Sequence, residues 1–523
     1  MSTRSLTDRL LDGVERAGNR LPDPVNLFLI LIAILFVISF AAALGGASVV
    51  HPNTKATVPV VNLLSADQIR RWLAEMPTIF AAFPPLGMVL VAMVGVGFAE
   101  KTGYIGAALS AFVQAMPRWT LTTTIVFAGI MSNLASDAGY VILIPLAAAL
   151  FAGAGRHPIA GLAAAFAAVS GGYSANLLIG SLDALLAGIT QTAARLIEPT
   201  ITITIAANWY LMAALVPLYT AIGVWLTDRV IEPRLGPWKP EAGAGDIPEV
   251  AALSETQRRG VRLASWTFLG MWVVILWGVV PKEPFAGTML SFLDSILPPS
   301  GFMYDQKGSL DQFYHALVAL LSITFLISGL IYGRITGAFR SEKEAVRMAS
   351  GTMADLAYYI LLVLAVSQFI KLFEWSNLGI WSAVNSAAAL QAAGITGSVL
   401  VVAFLLLSAF VNLFIGSASA KWALMAPIFV PAFMLLGMSP EAAQGLYRIG
   451  DSFTNVITPM TTYFALVIVF GQKYARDFGI GSLIAVMLPY ALWFGVGSTI
   501  LCLGWYWLDL PLGPGVGMLY PPR

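Results

Sequence analysis

Apolar stretches near twenty residues long recur along the chain, starting at about 25, 82, 159, 208, 262, 314, 354, 441 and 481. Each can carry a helix across the roughly 30 Å hydrocarbon core of a bilayer. The pattern therefore predicts nine transmembrane helices. Two further apolar stretches, 120–154 and 397–437, break the regularity. Each is long enough to enter and return, and each is interrupted midway, by SNLASDAG (132–139) and NLFIGSASAK (412–421). Non-helical backbone at that depth survives only when buried in protein or facing a wet cavity, so both stretches are expected to be re-entrant hairpins. Two of the spans are also interrupted, one by SGGYSAN (170–176) and one by SFTN (452–455) with Pro459. A broken span offers free N–H groups and positive potential to an anion at one new end, and free carbonyls to a small cation at the other.

An internal repeat links the two interrupted regions. An offset of 282 residues overlays Pro145 on Pro427, Gly155 on Gly437 and Pro158 on Pro440 without a gap. It also pairs Ala138 with Ala420, Phe151 with Phe433, Ser170 with Ser452, Asp137 with Ser419 and Tyr140 with Trp422. Basic residues sit in the N-terminal tail (Arg4, Arg9, Arg16, Arg20), after the fourth span (Arg229, Arg234, Lys239, Arg258, Arg259, Arg262), at 334–347 and at Lys473 and Arg476. All fall on one side if the N-terminus is cytoplasmic and the C-terminus outside. The first hairpin then enters from the cytoplasm and the second from the opposite side, giving inverted copies. Inverted repeats with broken helices place a substrate site at the midplane between them, as in secondary transporters.

The expected division is a cytoplasmic tail (1–24), a first membrane half (25–234), a Pro/Gly-rich linker (235–261) and a second membrane half (262–523). Arginines followed by an apolar run resemble a signal peptide, but the run from Val25 to Gly46 is long enough to span and the preceding segment also carries acids. It is expected to be the first transmembrane helix.

Composition agrees with this pattern. The chain has 523 residues, 58% hydrophobic and 11% charged, with a mean hydropathy of +0.80. Soluble chains carry roughly 25% charged residues, so the bilayer is the expected partner. A net charge of +1 gives no bulk attraction to nucleic acid. A single cysteine, Cys502, excludes an intrachain disulfide, and the three histidines (His51, His157, His315) lack metal-ligand spacing. There is no GxxxxGK[ST] phosphate loop, no complete dinucleotide fingerprint and no converging Ser/His/Asp set, so no cofactor is expected and the drive should be an ion gradient.

Five ionisable residues fall near the bilayer centre: Asp137, Asp183, Lys421, Arg448 and Asp451. Each costs about 2.5–3.5 kcal/mol to insert, so each needs a partner or a function. Arg448 and Asp451 are three apart on a helix and are expected to meet. That spacing fits a structural ion pair, or an arginine engaging a substrate carboxylate beside a proton-accepting or orienting aspartate. Asp183 follows a helix break, where it can cap a half-helix or bind a cation. Lys421 is expected to pair with Asp137 or Asp451, or to line a hydrated vestibule. Asn133, Ser136, Asp137, Asn176, Asn412, Ser417 and Asn455 are candidate ligands for Na⁺, although Asn, Ser and Asp also favour tight turns. Ser419 adds another oxygen, and Trp422 can stack on an aromatic substrate or pack apolar surface.

Three segments, ANWYLMAALVPLYTAIGVWLTDRVIEPRLG (207–236), RSEKEAVRMASGTMADLAYYILL (340–362) and YRIGDSFTNVITPMTTYFALVIVF (447–470), resemble the p-aminobenzoyl-glutamate transporter (AbgT) family. The likeness extends over nearly the whole chain. It implies an all-α polytopic fold of nine spans with two re-entrant hairpins, assembled as a homodimer in a bacterial inner membrane. It also implies transport of p-aminobenzoyl-glutamate, an aromatic amide dicarboxylate, or efflux of sulfonamide antimetabolites, driven by Na⁺ or H⁺. The family's functional positions fall on Asp183, Ser419, Trp422, Pro440, Arg448, Asp451 and Pro459. An anion channel and a membrane enzyme are the competing classes. Closure from opposite sides disfavours the channel, and the missing catalytic constellations disfavour the enzyme.

Overall fold

The computed structural model describes residues 22–52, 55–133, 139–238, 253–280, 301–305, 310–458 and 463–520. Ser136, Asp137, Pro459, most of the N-terminal tail and most of the 235–261 linker lie outside these residues.

Helices dominate, as the hydrophobic pattern predicts. Eight are long and apolar enough to cross a bilayer among the described residues, or up to nine if a bent pair counts as one span. They include Pro24–Leu44, Trp209–Leu235, Glu255–Trp277, Gln312–Thr336, Ala357–Trp375 and Ile480–Trp507. Their outer faces carry bare apolar side chains such as Val37, Val273 and Ile500, each more than 60% exposed, which only lipid or another apolar surface tolerates.

The spans expected from 159 and 441 are broken, as their sequences predict. The first runs Pro158–Phe166, widens through a π turn over Ala167–Gly171 and resumes at Ser181–Ala194. The second runs Pro440–Thr454, passes through a 3-10 turn at Asn455–Ile457 and resumes at Phe464–Gln472.

The hairpins have unequal arms. In the first, Leu121–Ser132 has 12 residues and rises about 18 Å, too little to span. Its return arm, Gly139–Gly153, is also short of a span. In the second, Gly397–Asn412 is bent by 116° from Leu378–Ala392 before it. The return arm, Ala418–Leu435, has 18 residues and meets the length of a span on its own.

The repeat is visible in atomic detail. Gly155 and Gly437 both take positive φ (75° and 81°), which a side chain would strain. Each closes its return arm in the same way, the next residue's N–H donating back to Phe151 O (2.8 Å) or Phe433 O (3.0 Å). Pro158 and Pro440 then open the broken spans at the first helical turn, where a missing N–H costs nothing.

The entering arms obey a different offset. Asn133 and Asn412, 279 residues apart, both end their arms. Asn133 Nδ2 donates to Val169 O (2.9 Å) and Asn412 Nδ2 donates to Asp451 O (2.7 Å), and those two acceptors are 282 apart. The second tip is thus three residues longer, and the ungapped overlay holds only from the return arms onward. Close approach is conserved in the same sense. A methyl group on Gly129 would lie 2.5 Å from Ala168 Cβ, and one on Gly450 would lie 2.6 Å from Ser408 Cβ and Leu405 O.

The bases of the hairpins are pinned. Arg156 donates to Asp228 (2.6 Å) and Thr122 (2.7 Å), pairs with Glu232 and lies over the Phe151 ring. On the other side Ser439 bonds the C-terminal segment at Gly517 O and Met518 O.

Candidate functional site

The two breaks and the second hairpin bring four charged side chains together. Asp183 lies in the first turn of the resumed half-helix Ser181–Ala194. Its Oδ2 accepts from Gly180 N (2.6 Å), so it does cap that helix end. Its other oxygen accepts from Arg448 Nη1 at 2.5 Å. Lys421, one turn into the return arm, pairs with Asp451 and donates to Asn412 Oδ1. The expected Arg448–Asp451 pair is therefore not the arrangement: each binds across to another element. Residues three apart share a helix face, but partners presented head-on from facing segments give better geometry than two side chains bent toward each other. The Lys421–Asp451 pairing is one of those the sequence predicts.

All four side chains are at most 8% exposed. A buried pair neutralises its own charge, and two pairs leave the centre neutral. Arg448 is only half used. Its Nε and Nη2 are buried and bond nothing among the described residues. Those two nitrogens form the edge of the guanidinium that matches a carboxylate fork.

An aromatic wall adjoins it. Trp422 stacks on Tyr447 with centroids 4.6 Å apart and 22° between planes. Trp422 is fully buried and Tyr447 nearly so. The Tyr447 hydroxyl donates to Ala418 O (2.5 Å). Trp422 Nε1 donates to Thr190 Oγ1 (2.9 Å), whose own proton faces Gln444 Oε1 (2.6 Å) and Leu186 O (2.8 Å). Gln444 then donates to Asn208 (2.9 Å), and Asn208 to Glu441 O (2.8 Å). This chain joins the second hairpin to both broken spans. Ser174 adds another tie, donating to Arg448 O (2.9 Å).

The remaining predicted residues separate into roles. Pro440 occupies the helix-opening position and is buried. Ser417 caps the return arm, accepting from Ala420 N (3.3 Å), and its hydroxyl lies 3.2 Å from that of Ser419. Asn412 Nδ2 also reaches Thr454 Oγ1 (2.9 Å) and Asn455 Oδ1 (2.8 Å), so the second cluster satisfies itself. In the first cluster the buried oxygens Asn133 Oδ1 and Asn176 Oδ1 have no hydrogen-bond partner among the described residues.

Thr190, Gln444 and Tyr447 were not expected from sequence. Thr190 lies seven residues after Asp183 and Gln444 four before Arg448, so each shares a helix face with a charged residue. That periodicity was the available signal. Thr190→Val should strand the Trp422 indole N–H and the Gln444 carbonyl, costing about 1–3 kcal/mol for each group left unpaired. Thermal unfolding of the purified protein should show the loss, and Thr190→Ser should restore most of it; equal melting of the two variants would remove the hydrogen bonds from the explanation.

Two broken helices and a re-entrant hairpin meeting around paired buried charges, with a second hairpin tied to the first broken span, define a membrane transporter with a buried, closed site. Residues 9–520 match the AbgT putative transporter family. The chain belongs to that family. It is 36% identical over 512 residues to the p-aminobenzoyl-glutamate transport protein of Escherichia coli (strain K12), covering 98% of this chain and 97% of that one. The fold is similar to the YdaH transporter of Alcanivorax borkumensis, described as having an unusual topology (TM-score 0.86, 38% identity, 94% of this chain and 100% of that one). It is also similar to Neisseria gonorrhoeae MtrF, described as illuminating a class of antimetabolite efflux pumps (TM-score 0.87, 41% identity, 97% of this chain and 100% of that one).

Proposed function

We propose that the protein is an ion-coupled secondary transporter of aromatic amide dicarboxylates of the p-aminobenzoyl-glutamate class. The observation that carries this is the Nε–Nη2 edge of Arg448, unpartnered among the described residues and buried in a site whose four charges sum to zero. A carboxylate fits that edge in the two-pronged geometry a guanidinium favours. Asp183 fixes Nη1 and so aims the open edge, and the Trp422–Tyr447 stack offers its ring system to the aminobenzoyl group.

Coupling follows from charge. The centre is neutral when empty, so a dianionic substrate adds two uncompensated negative charges at a depth where each is costly. Co-bound Na⁺ or H⁺ offsets part of that charge. Asn133 Oδ1 and Asn176 Oδ1 are neutral, buried and without a hydrogen-bond partner among the described residues, which suits Na⁺. In this reading Asp183, Ser419, Trp422, Pro440, Arg448 and Asp451 line or shape the substrate site, and Pro459, outside the described residues, belongs to the same functional set. The protein works as a homodimer in the bacterial inner membrane, N-terminus cytoplasmic, with the two hairpins opening alternately to opposite sides. Efflux of sulfonamide antimetabolites is the second reading, favoured by the likeness to MtrF.

Purified protein in liposomes, offered labelled p-aminobenzoyl-glutamate under separately imposed Na⁺ and H⁺ gradients, tests the proposal. Accumulation above the equilibrium level under at least one gradient is expected. Simple equilibration under both would point to a channel and reject coupling.

A further inference from the structure

The two repeats are alike in backbone and unlike in charge, most plainly at Lys421 and Asp451. Lys421 in the second return arm corresponds, at the 282 offset, to Gly139 in the first. Asp451 corresponds to Val169, and the asparagines correspond as Asn412 and Asn133. The shared hydrogen bonds to Asp451 O and Val169 O hold both asparagine side chains in the same relation to their broken spans. In the second repeat the amide oxygen, Asn412 Oδ1, receives the Lys421 ammonium. In the first, Asn133 Oδ1 receives nothing among the described residues.

The first repeat also has no room for a lysine. A Cβ on Gly139 would lie 2.1 Å from Ser132 Oγ and 3.0 Å from Val169 Cγ1. A hydroxyl oxygen therefore stands where the lysine side chain would start, on the residue before Asn133, whose amide oxygen has no partner among the described residues. Ser170, next to Val169 and fully buried, adds a hydroxyl with no partner among the described residues.

We propose that Lys421 is a tethered cation, occupying in the second repeat the position at which the first repeat binds a free monovalent cation on Asn133 Oδ1. The pseudo-symmetric fold thus has two cation positions, and the lysine permanently fills one. This rests on the cation-coupled reading above and sharpens it: one mobile cation is bound, in the first repeat, and Lys421 sets that number. The lysine is held at its position by Asp451, and the first site is built from neutral oxygens, which favour Na⁺ over divalent ions. Removing the ammonium while keeping Asp451 and Asn412 should open a second site, with a carboxylate to hold its ion.

The test is Na⁺-dependent stabilisation of the purified full-length protein, comparing melting temperatures in NaCl and in choline chloride at constant ionic strength. A cation that binds only the folded state raises stability in proportion to the logarithm of its concentration, and the slope counts the ions bound. Wild type should show a one-cation slope, and Asn133→Ala should abolish it. Lys421→Ala should melt lower than wild type in choline and rise about twice as steeply with Na⁺. The charge-neutral Lys421→Met/Asp451→Asn protein should keep the one-cation slope. A wild-type slope in Lys421→Ala, or a Na⁺ response surviving Asn133→Ala, overturns the proposal. If Lys421→Ala yields no folded protein even in NaCl, the proposal also falls, because the added ion should rescue it. A wild type indifferent to Na⁺ that still accumulates substrate under an H⁺ gradient rejects this inference and leaves the transporter reading intact.

Discussion

Replacing Arg448 with alanine is expected to reduce p-aminobenzoyl-glutamate affinity by about 30-fold to several thousand-fold, the equivalent of about 2–5 kcal/mol. The loss has two sources. The substrate carboxylate loses a two-pronged, charge-assisted partner, and Asp183 loses the guanidinium that neutralises it. The double variant Arg448→Ala/Asp183→Asn separates them. It removes the stranded carboxylate, so it should fold better than the single variant yet bind the dicarboxylate no better. Sulfonamides lack the glutamyl tail, and their transport should barely change in either protein. Equilibrium binding of labelled substrate in detergent measures the first claim and vesicle transport the second. A dicarboxylate affinity within a fewfold of wild type in Arg448→Ala would remove the arginine from the substrate site.

The second large effect is on stability. Lys421→Ala, measured without Na⁺, should lower unfolding stability by about 3–5 kcal/mol, because it leaves Asp451 buried and uncompensated. Lys421→Met/Asp451→Asn should recover most of that loss. A buried ion pair exchanged for neutral groups of similar volume is often close to neutral in stability, since both desolvation costs vanish with the attraction. Coupled transport should not recover with it, because the double variant has lost the charge arrangement that discriminates loaded from empty states. Melting curves of the single and double variants decide the first part, and gradient-driven uptake the second. Equal destabilisation of the two would mean that packing around the lysine stem, and not its charge, holds the second hairpin.

Much of this architecture was legible because a bilayer restricts the solutions. Apolar runs interrupted by SNLASDAG and NLFIGSASAK could hardly be anything but hairpin tips, since non-helical backbone cannot face lipid. That two spans break was visible for the same reason, as were the matched prolines and glycines that close and reopen each repeat, although the second span stays α-helical through Ser452–Thr454 and leaves the helix only at Asn455. The gap in the repeat was less visible. SNL and VNL, at Asn133 and Asn412, were its only signature, and they became significant once the same hydrogen bond was seen in both places.

The site was legible in its membership and not in its pairings. Buried charge at membrane depth marks function because it is expensive, so Asp183, Lys421, Arg448 and Asp451 stood out from sequence. Spacing along one helix then suggested Arg448 with Asp451, whereas the structure joins Arg448 to Asp183, 265 residues away, and Asp451 to Lys421. Thr190 and Gln444 stayed hidden because a polar residue in a helix reveals nothing of what it faces until the neighbouring helices are placed.

The linear chain alone determined that this is a mostly helical membrane protein with two re-entrant hairpins, two broken spans and a handful of charges that must be partnered. These follow from the cost of exposing peptide groups and ions to hydrocarbon, a penalty paid residue by residue and therefore written locally. Only the tertiary structure decided which charge meets which, that among the described residues the Nε–Nη2 edge of Arg448 is left open, and that Lys421 satisfies Asn412 while Asn133 Oδ1 finds no partner there. Those are matters of where a side chain's atoms end after the helices pack. Distances of a few ångströms between segments far apart in sequence settle them, and no local pattern encodes such distances.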